Sequence, residues 1–362
     1  MLLGTLAFVG ASRTGKAFAG VGSESDVVYV SAAKRASGDY SVLLLRADGS
    51  VVREVPLSAR GHDIAIHRPS GRVAVFARRP GTYVVVFNLD RPTPPHVFTA
   101  DEGRHYYGHG AFSSDGRLLY CSENDFVNER GIIGVYEVER AYRKIGEHSS
   151  YGVGPHEIMM LADGKTIAVG NGGLDTVPEA GRVNLNVETM QPSLAFVDAG
   201  SGKLIAQHLM KDDLKSLSIR HVTQDATGLV WFGGQWEGDP GATPQLVGSA
   251  GPDRELRLLA PTAANTPDLR GYIGSMAVST DGRIIAASAP KAGHVVYVDT
   301  ATASVIGKSD LKDVCGIAPE GEENFASTSG FGILRHETPR ARIISEAEMK
   351  DIAFDNHLRR IA

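Results

Sequence analysis

The residues GPHEIMMLADGKTIAVGNGG at 154–173 set a pattern that recurs along the chain. A histidine precedes a short apolar run, an Asp-Gly pair follows, and a second apolar run ends in glycine. Asp-Gly and Ser-Gly pairs between alternating apolar runs are hairpin turns, because glycine supplies the positive φ such turns demand. The same unit is read in GHDIAIHRPSGR (61–72), GHGAFSSDGR (108–117), RHVTQDATGL (220–229), GSMAVSTDGR (274–283) and CGIAPEGEE (315–323). The turn glycines Gly71, Gly116, Gly164, Gly228, Gly282 and Gly321 recur at intervals of roughly 40–60 residues, each holding several short strands, which marks propeller blades.

Each unit continues alike. A β-rich second strand follows the turn (RVAVFAR, RLLYCSE, KTIAVGN, LVWFGGQ, RIIAASA), then a third with an apolar pattern (TYVVVFNLD, IIGVYEVE, PSLAFVDAG, HVVYVDTA). The N-terminal SDVVYVSAAKR, YSVLLLRADG and VVREVPL supply three more strands with no inner strand ahead of them. The C-terminal KDIAFDNHLRR begins like DIAIHRP and is expected to supply that strand. The predicted fold is therefore all-β: a seven-bladed β-propeller of four-stranded blades, its ring closed by the N- and C-terminal strands, which removes open sheet edges. Residues 25–362 form one domain. Residues 174–191, LDTVPEAGRVNLNVETMQ, are expected as a loop on the site face, and SEAEMKDIAF as a short helix.

Composition fits and excludes. Forty-two glycines in 362 residues suit a chain of many tight turns. A net charge of −5 argues against nucleic acid or an anionic membrane as the main partner. Cys121 and Cys315, the only cysteines, form no CxxC pair. One disulfide could join them, but two buried thiols is the reading adopted, and no CxxCH exists for covalent haem. No GxGxxG opens a helix and no Walker loop is present, so no nucleotide cofactor is expected. MLLGTLAFVGASRTGKAFAG carries an apolar run of signal length and ends at a small-x-small site, Ala17-Phe18-Ala19. Residues 1–24 are therefore expected to be the remnant of an export signal or a disordered N-terminus, and the protein to be periplasmic. The alternative is a buried N-terminal strand. No other stretch is apolar over the ~18 residues a membrane span needs.

Four units carry a histidine just before the inner strand: His62, His109, His156 and His221. Inner strands line a propeller's central channel, so four imidazoles from consecutive blades would meet at one mouth. Imidazole nitrogens suit iron, copper or zinc. The register is approximate, and a one-residue slip would turn a ring sideways. Segments after the second strands should reach the same mouth. They contribute Arg78, Glu123, Asn124, Asp125, Asn171, Gln235 and Glu237, and His105 adds an imidazole next to Tyr106 and Tyr107. His67, His96, His148, His208, His294, His336 and His357 read as surface or strand residues, and Trp231 and Trp236 as core and rim.

With these residues in view, the chain resembles the YVTN-type propellers, whose unit runs P-H-x-ϕ-x-ϕ-x-x-D-G-K as in GPHEIMMLADGK. More narrowly it resembles a family of bacterial periplasmic propellers, through SENDF with GIIGVYEVE, GPHE, NLNVETMQPSLAFVD, SIRHV with WFGGQWEGDP, and DVCGIA. The resemblance spans about 25–360. It implies a seven-bladed propeller in the periplasm, with genes often beside imelysin-like iron-associated proteins and haem-containing oxidoreductases. Metal-uptake proteins of the periplasm are therefore the implied partners. Many members carry a twin-arginine export signal, which this sequence lacks, and no catalytic residue carries over.

Three functions follow as expectations. The first is a monomeric, non-enzymatic propeller holding a transition metal, or a metal-bearing ligand or partner, on His62, His109, His156 and His221, with Glu123 and Asp125 as oxygen ligands or anchors. The second is a protein-interaction scaffold without metal. The third is a metal-dependent, lactonase-like hydrolase or other propeller enzyme, with Glu123 as base and Arg78 as substrate clamp.

Overall fold

The computed structural model describes residues 27–361 apart from 92, 178, 180, 182–184 and 260–267; the expected export segment 1–24 lies outside the described residues. Those residues form seven four-stranded antiparallel sheets whose inner strands touch one another in a closed circle. The inner strands of blades 2 to 7 are Gly61–His67, Arg104–Phe112, Pro155–Met160, Leu217–Gln224, Ser275–Val278 and Val314–Glu320. Blade 1 takes its inner strand, Ile352–Arg360, from the C-terminal end of the chain and its other three from Tyr29–Arg35, Tyr40–Leu45 and Val51–Leu57. Among the described residues there is no α-helix, only short 3₁₀ turns such as Arg68–Ser70.

The hairpins form where the turn residues allow. All six turn glycines have φ between 65° and 82°, a region open to glycine at little cost. Second strands such as Arg72–Ala77 and Thr166–Asn171 are buried along almost their whole length, because blades pack on both faces. The fourth strands face solvent on the rim. The stretch expected as a helix, SEAEMKDIAF, is instead the exposed outer strand Ile343–Glu348, a turn and the start of Ile352–Arg360. Its Glu- and Ala-rich outer strand offers little apolar surface, so strand pairing overrides local propensity.

Histidines at the periphery tie blades together. His67 reaches the Ser114 carbonyl at 3.3 Å, His96 that of Ala141 at 3.1 Å, His148 that of Ala199 at 3.1 Å and His208 that of Gly251 at 2.8 Å. His336 spans blade 7 and blade 1, bonding Glu320 and the Ala47 carbonyl, each at 2.7 Å. Cys121 and Cys315 are both free and buried. Trp231 is core, donating to Asp225 at 2.8 Å; Trp236 lies on the rim.

Ring closure rests on the last strand. Ile352–Arg360 pairs antiparallel with Tyr29–Arg35, Ser31 Oγ donates to the His357 carbonyl at 2.8 Å, and Ile352, Phe354 and Leu358 are buried. Three such side chains contribute about 1.5–3 kcal/mol each. Ending the chain after Asp351 is expected to lower the unfolding temperature by more than about 10 °C or to leave the protein insoluble. An unchanged melting curve for the shortened chain would contradict this account of closure.

Candidate metal centre

The inner strands bring five imidazoles together, one from each of blades 1 to 5. His109 sits at the middle: its ring centroid lies 4.9 Å from His62, 5.0 Å from His156, 5.6 Å from His221 and 4.9 Å from His357. His62 and His357 are 4.7 Å apart, and His221 lies 5.0 Å from both His156 and His357. His62, His109, His221 and His357 are almost wholly buried, and His156 is partly buried.

Local backbone irregularity aims these rings. A register shift stands at or beside each histidine: between Gly61 and Ile64, Tyr106 and Gly110, Pro155 and Glu157, Ile219 and His221, and in the closing strand between Phe354 and Leu358. Such β-bulges re-aim a side chain out of the ladder. The short inner strand of blade 6 pairs without a shift and brings Ser275 instead, 3.4 Å from His357 Nδ1. Gly108 is required twice over: its φ is 101°, and a Cβ there would lie 2.7 Å from the His62 ring.

Acids and guanidiniums fix the rings. His62 Nδ1 donates to Asp355 at 3.0 Å, His109 Nδ1 to Asp63 at 2.9 Å, His221 Nδ1 to Glu157 at 3.0 Å and His156 Nδ1 to the Arg220 carbonyl at 3.1 Å. Carboxylates and carbonyls only accept, so these four rings carry their proton on Nδ1 and keep a lone pair on Nε2. Arg359 crosses the axis from blade 1 and donates to Asp63 at 2.7 and 2.8 Å and to Glu157 at 3.2 Å. Asp355 also accepts from Arg60 and, at 3.1 Å, from Arg78.

Titration follows from burial. Desolvation holds His62, His156, His221 and His357 below the usual imidazole value, His62 at about 3, so these rings are neutral. Burial alone would raise the three carboxyls. Instead all stay below their ordinary range, Asp63 chiefly through Arg359, Glu157 through its histidine and Arg359 contacts, and Asp355 through His62 and Arg78.

What such a set can do chemically is hold a metal. One nitrogen from each of His62, His109 and His156 lies within 4.8 Å of the others, and the same holds for His109, His221 and His357. The Nε2 atoms of His109 and His357 are buried without a hydrogen-bond partner, an unusual state for a polar atom. Carboxylates behind the Nδ1 atoms of His62, His109 and His221, and a carbonyl behind that of His156, are the kind of arrangement that orients metal-binding imidazoles. A third grouping, Asp63, His109 and Glu157, is already bridged by Arg359.

The cluster plugs one end of the axial channel. On the side where inner strands begin, Arg78, Arg79, Tyr107, Arg220, Gln235, Tyr272 and Asn356 frame a recess of about 20 Å³ over His62 and His156. On the other side a cavity of about 430 Å³ runs along the inner strands, lined by apolar side chains such as Ile64, Ile158 and Met276 and floored by Asp63, Glu157 and Arg359.

Of the residues expected at the mouth, Arg78 and Gln235 line the recess, and Glu237 stands behind it, bonded to Arg220 at 2.9 Å. The others stand elsewhere. Glu123 stands on the second strand of blade 3, buried, and accepts from Tyr136 at 2.7 Å and Lys144 at 2.8 Å of that blade's two outer strands, so it is spent there and not among the axial imidazoles. Asp125 closes its own turn through Asn128 and Arg130. His105 and Asn124 hold the loop after blade 4's second strand: Asn124 Nδ2 donates to the Thr176 carbonyl at 2.6 Å and lies 3.1 Å from His105 Nε2. Asn171 donates to the Ser150 carbonyl at 2.8 Å. Sequence reading missed His357, Asp63, Glu157, Asp355, Arg220 and Arg359. Asp63 and Glu157 were visible as direct neighbours of His62 and His156, and Asp355 and His357 through aligning NHLRR, rather than DIAF, with GHDIAI.

Two outcomes follow from this network. Replacing Arg359 by Met strands two buried carboxylates and should cost about 3–5 kcal/mol in chemical denaturation; a change under about 1 kcal/mol would contradict the bridge. Below about pH 6.5 the unfolded chain takes up protons that the buried imidazoles refuse, and below about pH 4 those that the three carboxyls refuse. Stability is therefore full near pH 7 and falls progressively with acid, which unfolding temperatures between pH 4 and 8 read directly; a flat profile would refute it.

The fold has a solved counterpart. Hydrazine synthase from Kuenenia stuttgartiensis is similar at a TM-score of 0.62 and 15% identity, over 87% of this chain and 94% of that one, a likeness of fold alone. No curated protein matches the sequence. The family model described as "Protein of unknown function (DUF1513)" matches residues 55–361, which takes in all five axial histidines, and the chain belongs to that family.

Proposed function

We propose that this propeller binds a transition metal on the Nε2 atoms of its axial imidazoles, with His109 and His357 as the central pair and His62, His156 and His221 completing the set. The observation that carries this is the pair of buried, partnerless Nε2 atoms amid rings whose Nδ1 protons are already committed. Neutral nitrogen donors favour iron, copper, zinc or nickel over magnesium or calcium, which prefer oxygen. The resemblance to periplasmic propellers encoded beside iron-associated proteins supports iron as the first metal to test and metal acquisition outside the cytoplasm as the setting. A recess of about 20 Å³ has room for roughly one water-sized species, which supports holding an ion on this side of the cluster over turning over a bulky substrate there. Asp63, Glu157 and Asp355 orient the rings and balance Arg359, Arg78 and Arg60.

The test is metal content. Protein incubated anaerobically with Fe(II), and separately with Zn(II) and Cu(II), then desalted, should retain about one equivalent of at least one metal by mass spectrometry. The double variant His109→Gln, His357→Gln should retain less than about a tenth of that while keeping its circular dichroism spectrum. Loaded wild-type protein without stoichiometric metal would overturn the proposal.

A further inference from the structure

The recess above the imidazoles is built for an anion. It is framed by guanidinium, phenol, carboxamide and imidazole groups, and no carboxylate lines it. Arg220, only 6% exposed, spends one nitrogen on Glu237, while its Nε is buried with no hydrogen-bond partner. Facing it from blade 2, Arg78 uses Nη1 on Asp355 and Asn356, which leaves its Nη2 and Nε. Tyr272 accepts from Asn356 at 2.9 Å, so its own hydroxyl proton is free to be donated.

Charge balance leads to the same conclusion. Asp63 and Glu157 share Arg359, Asp355 takes both Arg60 and Arg78, and Glu237 takes Arg220, so four carboxylates meet four guanidiniums. A divalent ion added to neutral imidazoles would leave its charge in a buried site with every nearby carboxylate already engaged, a costly state without a counter-charge. We infer that the recess takes a small oxyanion, a carboxylate or carbonate group, held between Arg78 and Arg220 over the imidazole layer. Planar oxyanions suit the guanidinium fork, and formate is the smallest of them. The anion site stands on the arginines alone; its coupling to metal rests on the reading above. Since coupling is reciprocal, each ligand tightens the other by the same factor.

The experiment uses ¹³C-formate as probe and Zn(II) as a diamagnetic metal. Formate line broadening is followed with metal-free and zinc-treated protein, and zinc affinity is measured against a competing chelator with and without formate. Expected is formate binding that is tighter in the zinc-treated sample, a matching gain of about tenfold or more in zinc affinity, and loss of both in Arg220→Gln, Glu237→Gln, which removes the ion pair as a unit and keeps zinc. Should that variant not fold, Tyr272→Phe, which leaves every ion pair intact, weakens formate several-fold. Formate binding to neither sample overturns the anion site whatever the metal does, as does equal binding by wild type and variant. Formate binding without zinc uptake upholds the anion site and removes metal coupling. Phosphate competing as well as formate overturns the assignment to a planar anion.

Discussion

Arg359 lies across the axis of the ring, and the rest of the centre depends on where it stands. It comes from the last strand of the chain yet bridges Asp63 of blade 2 and Glu157 of blade 4. Those carboxylates in turn hold the Nδ1 protons of His109 and His221. The same strand carries His357 into the cluster and Asp355 to His62, Arg60 and Arg78. Closing the ring and assembling the centre are therefore one event. An incomplete ring would leave blade 2 and blade 4 with buried acids and no guanidinium between them, a state that buried ion pairs make expensive.

The centre also explains how so many titratable groups share one interior. Imidazoles packed about 5 Å apart cannot all be charged, and burial keeps His62, His156, His221 and His357 neutral. Carboxylates beneath them stay ionised because each has a guanidinium partner. Charge is thus held in acid–arginine pairs on either side of the imidazoles, which themselves offer lone pairs. This separation is the physical condition for binding a soft or borderline cation through nitrogen, and it places the uncommitted guanidinium donors on the opposite side of the imidazoles from Arg359.

Much of the fold was legible because propeller blades repeat their turn chemistry. Positive-φ glycines at Gly71, Gly116, Gly164, Gly228, Gly282 and Gly321 set the hairpins, and the apolar second strands followed from them. Four of the five axial histidines were legible for the same reason. What stayed hidden depends on single-residue register. Bulges beside His62, His109, His156, His221 and His357 leave no compositional trace, so which rings point to the axis is settled only by pairing. Glu123 and Asn171 looked poised for chemistry because they end second strands, but Glu123 is spent on Lys144 of its own blade's outer strand, and Asn171 on the Ser150 carbonyl. His357 escaped notice because the closing strand opens with DIAF, which imitates DIAI seven residues out of step with its true counterpart.

The central claim is that the axial imidazoles coordinate metal through nitrogen, with the carboxylates held back by arginine. X-ray absorption at the edge of the bound metal addresses it most directly. The account predicts a first shell of nitrogen or oxygen scatterers near 2.0–2.1 Å with the outer-shell multiple scattering of at least three imidazoles and no sulfur. A shell dominated by carboxylate oxygens, or one showing fewer than two imidazoles, would contradict it.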